Sequence, residues 1–189
     1  MKYLFTVITC MISSIIISQI AYSGPGDIKF GVGANIQSEA TGITTTVDYG
    51  LGENISIGLR GTYLLGVDEY SNLNAFTIDN GDGSGTIVFF EDPKFTDRFD
   101  LRARFNAHLS NVLNISEAFD LYPGLDLGLK NFGTHVGARY FFTDGIGVFT
   151  ELNLPIARYK NDDDYEIQQT LRKELNNQFN ITIGASFNI

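Results

Sequence analysis

Apolar and polar residues alternate one by one over most of the chain. In DIKFGVGANIQ (27–37), Ile28, Phe30, Val32, Ala34 and Ile36 share one face, and Lys29, Gly31, Gly33, Asn35 and Gln37 share the other. A strand points successive side chains to opposite faces, so this period of two predicts a strand with one oily and one polar side. The pattern recurs around Ile43–Tyr49, in 55–67, 98–109, 119–129, 133–142 and 146–158, and again in 179–189. GLGEN (50–54) and TDG (143–145) read as tight turns, and KNF (130–132) as a short link. Pro123 falls on the apolar face and lacks a ladder donor, a local departure from the pattern.

The runs number eight, and at about 9–13 residues each they have the length a tilted strand needs to cross a bilayer's hydrocarbon. An even number returns both ends of the chain to the same side. Links after runs two, four and six are short (50–54, 110–118, 143–145). The links after runs one, three, five and seven (39–42, 68–97, 130–132, 159–177) include the very long ones. Short turns at one end and long loops at the other are expected of a transmembrane barrel. The predicted fold is all-β: an eight-stranded antiparallel up-and-down transmembrane β-barrel after a cleaved signal peptide.

The polar face sharpens this expectation. It carries Lys29, Arg60, Arg102, Arg104 and Arg139 together with Asp48, Asp100, Asp120, Asp126 and Glu151. Five positive and five negative charges balance there, while the excess acid lies in the links. A solvated face needs no such balance, whereas a crowded lumen must pair its charges. These ten residues are therefore expected to form a lumen charge network, with the apolar face turned to lipid.

Composition adds the export route. Residues 1–23 begin with Lys2, continue through an apolar run and end at Ala21-Tyr22-Ser23, the pattern of a secretory leader cut after Ser23. The domain division is then signal peptide 1–23 and barrel 24–189. Cys10 lies early in the leader behind Thr9, unlike a lipoprotein cysteine. The remainder has no cysteine, so disulfides are excluded. Loss of Lys2 leaves 12 basic against 22 acidic residues, a net charge of −10 that disfavours nucleic acid. No further apolar run reaches the ~18 residues of a membrane helix. Twenty glycines, 15 phenylalanines, nine tyrosines and a mean hydropathy of 0.00 suit a β protein with two unlike faces.

Candidate chemistry is sparse. Eight strands enclose a space that side chains fill, so a conducting pore is not expected. Only His108 and His135 could serve as imidazole bases after the leader. His108 lies near the short-turn end close to Ser110. His135 is assigned nearer the other end, where Asp126 or Glu151 could orient it, but no partner serine stands out. NGDGSG (80–85) and NDDDYE (161–166) are acidic but lack the spacing of a calcium loop. No cofactor or metal is expected. TIVFFED (86–92) suits a hairpin able to add a partner strand, and 165–175 has helical propensity.

The chain end, Thr182-Ile183-Gly184-Ala185-Ser186-Phe187-Asn188-Ile189, fits the pattern polar-x-Gly-x-x-apolar-x-apolar. With Gly184, Phe187 and Ile189 it resembles the signal by which barrel-assembly machinery recognises outer-membrane barrels, although Ile189 replaces the usual terminal aromatic. Nearly all of 27–189 resembles the small eight-stranded outer-membrane proteins of the OmpA/OmpX type. DYGLGENISIGLRGTYLLGV and YPGLDLGLKNFGTHVGARYFFTDGIGVFTELNLP are especially similar to uncharacterised single-barrel proteins of Bacteroidota. The resemblance implies a monomer in the outer membrane of a Gram-negative bacterium, in contact with lipid, and it transfers no activity. The expected role is structural, or surface contact with protein through loops 68–97 and 159–177. Two alternatives stay open: a rim enzyme modifying envelope lipid, and a soluble periplasmic lipocalin-like ligand-binding barrel.

Overall fold

The computed structural model describes residues 20–38, 40–67, 75–79, 81, 85–89, 94–159 and 175–189. Residues 1–19 of the expected leader with Cys10, the 161–166 motif and nearly all of the 165–175 segment lie outside these, as do most residues of NGDGSG. Eight strands form a closed barrel: β1 (Ile28–Gln37), β2 (Ala40–Gly52), β3 (Ile55–Val67), β6 (Phe99–Ala107), β7 (Phe119–Gly128), β8 (Asn131–Phe141), β9 (Ile146–Arg158) and β10 (Asn180–Asn188). Each pairs antiparallel with its neighbours in the order β1-β10-β9-β8-β7-β6-β3-β2. A separate hairpin, β4 (Ala75–Asp79) with β5 (Gly85–Phe89), interrupts the β3–β6 link. Two short helices, α1 (Phe95–Arg98) and α2 (Ser110–Leu113), precede and follow β6.

β10 closes the barrel against β1. β10 runs beside β1 from Lys29↔Asn188 to Gln37↔Asn180, and the Ile189 amide donates to the Ile28 carbonyl at 3.1 Å. Each strand thus has a neighbour on both sides, and no barrel edge is left to recruit another chain.

Two ladders run further than the alternation suggests. β2 starts at Ala40 and continues to Gly52, so only Glu53 and Asn54 make the turn. Its register against β3 shifts at Thr41/Gly42 and at Gly50/Gly52, and each irregularity bends the strand near one mouth. β8 likewise begins at Asn131, inside the expected link. Pro123 falls where the β6–β7 ladder stops, one residue before Gly124↔Asn106, so its missing donor costs no bond there.

Burial is inverted relative to a water-soluble domain. Arginine, aspartate, asparagine and histidine side chains dominate the buried set, whereas Val32, Val47, Leu59, Leu101, Val136, Val148, Leu152 and Ile183 are exposed on the outer wall. Aromatic rings flank this aliphatic band. Exposed Tyr49, Tyr140 and Phe142 sit toward the short-turn end, and Tyr63, Phe95 and Phe99 form a row of rings 5.4–5.5 Å apart toward the long-link end. No helix of the described residues is long and apolar enough to cross a membrane.

Candidate functional site

The interior is the one place, among the described residues, where chemistry-bearing side chains converge. Lys29, Asp48, Arg60, Asp100, Arg102, Arg104, Asp120, Asp126, Arg139 and Glu151 are all buried inside the barrel. Asp27 joins them, accepting a 2.5 Å bond from Lys29 Nζ.

At mid-height, Glu151 of β9 is the hub. Its Oε2 accepts from Arg104 Nη2 at 2.6 Å and its Oε1 from Arg60 Nη1 at 3.1 Å. Arg60 stands opposite Arg102 in the β3–β6 register, a repulsive placement for like charges. The two avoid each other by reaching in different directions. Arg60 crosses the bore to Glu151, Asn153, Asn180 and Thr182 on β9 and β10, while Arg102 turns to Asp100 at 2.6 Å and the Asn176 carbonyl at 2.7 Å. Asp48 is more loosely held, 3.6 Å from both Arg104 and Arg139.

Inward glycines make room for the rings. A Cβ on Gly137 would overlap the Tyr122 ring, and one on Gly124 would overlap the His135 imidazole. Tyr122 fills the slot over Gly137 and presents its face to the Arg139 guanidinium at 4.1 Å, a cation–π contact. His135 bonds Asp126 at 2.9 Å and Asn106 at 2.9 Å. It lies halfway along β8 and is fully enclosed, so the expected position near the outer end is corrected: the bore, not a rim, holds it.

Toward the short-turn end, His108 Nδ1 lies 2.7 Å from Asp120 Oδ2, and His108 Nε2 lies 2.9 Å from Ser56 Oγ. Asp120 also accepts from Arg139 Nε at 3.1 Å and from Ser110 Oγ at 3.3 Å. Aspartate, histidine and serine stand here in the order that a general-base relay uses. Ser56 is not legible as a partner in the sequence, because it is remote from His108 and carries no motif. It has no exposed surface, and the Tyr22 ring lies flat on His108, centroids 3.5 Å apart and 8° from parallel.

A family model described as "Family of unknown function (DUF6646)" matches residues 12–189. The chain belongs to this family. No curated protein matches it.

In this DUF6646 barrel, described residues pack into both mouths. At the long-link end, Ala40, Leu64 and Leu175 form a small buried apolar cluster, with Asn131 and Asn177 bonded beside it. At the other end, residues 20–27 fold across the opening. The Tyr22 hydroxyl lies 2.8 and 2.6 Å from the Gly52 and Ile55 carbonyls and shares its one proton between them. Burial first, then the Asp27 and Asp120 carboxylates, push its pKa up to about 12, so it stays a neutral donor. Among the described residues no group of three or more His, Cys, Asp or Glu is arranged to hold a metal ion. Of the expected assembly signal, Gly184 packs against the Val32 backbone, Phe187 pairs with Phe30 at 6.2 Å, and Ile189 is exposed.

Proposed function

We propose that the protein is an outer-membrane β-barrel of a Gram-negative envelope, exported behind a cleaved leader. It serves as a rigid monomeric scaffold that presents its long links at the cell surface for structural or protein contact. One observation carries this reading: a closed barrel with paired charges inside, an aliphatic band outside and aromatic rings at both margins of the band. In water such a wall would expose far more contiguous apolar surface than the few hundred Å² that monomers tolerate. In a bilayer it matches lipid, and the rings match the two interfaces. The strand lengths and the resemblance to OmpA/OmpX-type proteins support the same location. A soluble ligand-binding barrel needs the opposite arrangement, with the oily face around the ligand.

The filled bore supports a passive role. Arg60, Arg104, Glu151 and Tyr122 fill the bore at mid-height, which suits a scaffold better than an open channel. Among the described residues the β4–β5 hairpin pairs only with itself, so each of its strands keeps one edge outside the barrel ladder. A partner strand adding to such an edge is the contact this scaffold suits best. Fractionation tests the location: detergent-dependent extraction and a gel mobility that changes on heating are expected, and full recovery in buffer without detergent refutes it. Planar-bilayer recording tests the plug, and steady conductance would contradict it.

A second reading, hydrolysis of an envelope-lipid ester, rests on the Asp120–His108–Ser56 order alone. A fluorophosphonate probe on the folded protein tests it; a Ser56 left unlabelled removes it.

A further inference from the structure

The N-terminal segment Ala21–Asp27 is built into the barrel, and this bears on where the leader is removed. Sequence pattern alone favours a cut after Ser23, which would discard Ala21 and Tyr22. Yet Ala21 is 1% and Tyr22 5% exposed. The Ala21 amide donates to the Glu117 carbonyl at 2.6 Å, on the link between β6 and β7. Tyr22 closes the floor of the bore through its stacked ring and the proton its hydroxyl shares between two carbonyls of the β2–β3 turn region. Behind it, the Ser23 amide donates to Asp27 Oδ2 at 3.1 Å, the Gly26 amide to the Gly50 carbonyl and the Gly50 amide to the Asp27 carbonyl. Gly24 and Gly26 take positive φ of 96° and 84°, which lets the segment double back under the strands.

A cut after Ser23 would remove a whole aromatic ring from an enclosed slot. Water would then meet His108, and the Ile55 carbonyl would lose its side-chain donor. We propose, resting on the export reading above, that the leader is cut upstream of Ala21, after Ser18, so that the exported chain keeps Tyr22 as a plug of the short-turn mouth. Ser18 is the nearest small residue before Ala21. Ala21 as the last leader residue would put the bulky polar Gln19 two positions before it, where the pattern is of small residues, whereas Ser18 has the apolar Ile16 there. The stretch that follows the cut then serves twice, first in presenting the leader to the peptidase and afterwards as the floor of the folded barrel.

Expression of the full chain in a Gram-negative host, followed by intact-mass analysis of the outer-membrane fraction, tests this. A first residue from Gln19 to Ala21 supports the proposal, with Gln19 expected. A first residue at Tyr22 or later, or an uncut chain, overturns it. Ser18→Leu should accumulate precursor while Ser23→Leu should be processed as the parent; the reverse pattern overturns it. A third readout needs no processing change: purified Tyr22→Ala should unfold at a urea midpoint lower by about 1 M. If residue 22 is discarded, parent and variant are the same molecule and their midpoints coincide. Absence of the chain from the outer-membrane fraction instead refutes the export reading itself.

Discussion

Leu59 and Arg60 are neighbours on β3 and face opposite ways. Leu59 is 55% exposed on the outer wall, while Arg60 is 2% exposed and bonded to Glu151, Asn153, Asn180 and Thr182 on the far side of the bore. Leu59 needs only an apolar neighbourhood of roughly its own size, which many residues would tolerate. Arg60 needs particular acceptors at particular distances, because an unpaired charge in an enclosed site is costly. The same eight strands therefore carry a permissive surface and a demanding one. The barrel's specificity lies inside.

The largest effect should come from the hub of the demanding face. Glu151→Ala strips the counter-charge from Arg60 and Arg104 together and should cost about 3–5 kcal/mol, as removal of one partner of a buried pair does. Urea unfolding in lipid vesicles measures it, and a loss under about 1 kcal/mol would mean the network is looser than its geometry implies.

Next comes a charge on the permissive face. Leu152 lies halfway along β9 and is exposed, so on the proposed lipid-facing wall Leu152→Arg should cost about 2–4 kcal/mol in vesicles. A wall facing water would register within about 0.5 kcal/mol, which makes this substitution the sharper test of what surrounds the barrel.

Gly137→Ala should cost about 1–3 kcal/mol, because its Cβ would overlap the Tyr122 ring. In the background of Tyr122→Ala the same change should be much milder, since the obstructing ring is gone. Equal penalties in both backgrounds would show that the slot is not what Gly137 provides. The smallest effect is expected for Ile183→Val on the outer wall, under about 1.5 kcal/mol in the same assay.

Much of the architecture is legible in the sequence, and the reason is local. Along Phe99–Ala107 the alternation assigns Arg102 and Arg104 to one face, and both are buried there. Eight such runs, with the first and last each wanting a partner, leave a closed antiparallel barrel as the arrangement without edges. The interruptions are harder to read. Leu64 and Phe149 are apolar yet point inward, Leu64 to meet Ala40 and Leu175 at one mouth. Near the mouths the bore can be sealed with apolar contacts, so the polar-inside rule relaxes there. Ala21 and Tyr22 fit the sequence pattern of a leader's end, and in the fold both are buried at the short-turn mouth.

Strand count, direction and facing follow from a period of two, because each strand's amphipathicity depends only on its own residues. Partnership does not. Lys29 and Asp48 are opposite in the β1–β2 register, yet Lys29 binds Asp27 and Asn188 while Asp48 lies beside Arg104 and Arg139. Glu151 meets Arg60 across 91 residues of sequence. Inside a narrow cylinder, long side chains from opposite walls overlap. Which charge meets which is therefore set by the bore's diameter and stagger, quantities that exist only once the sheet has closed.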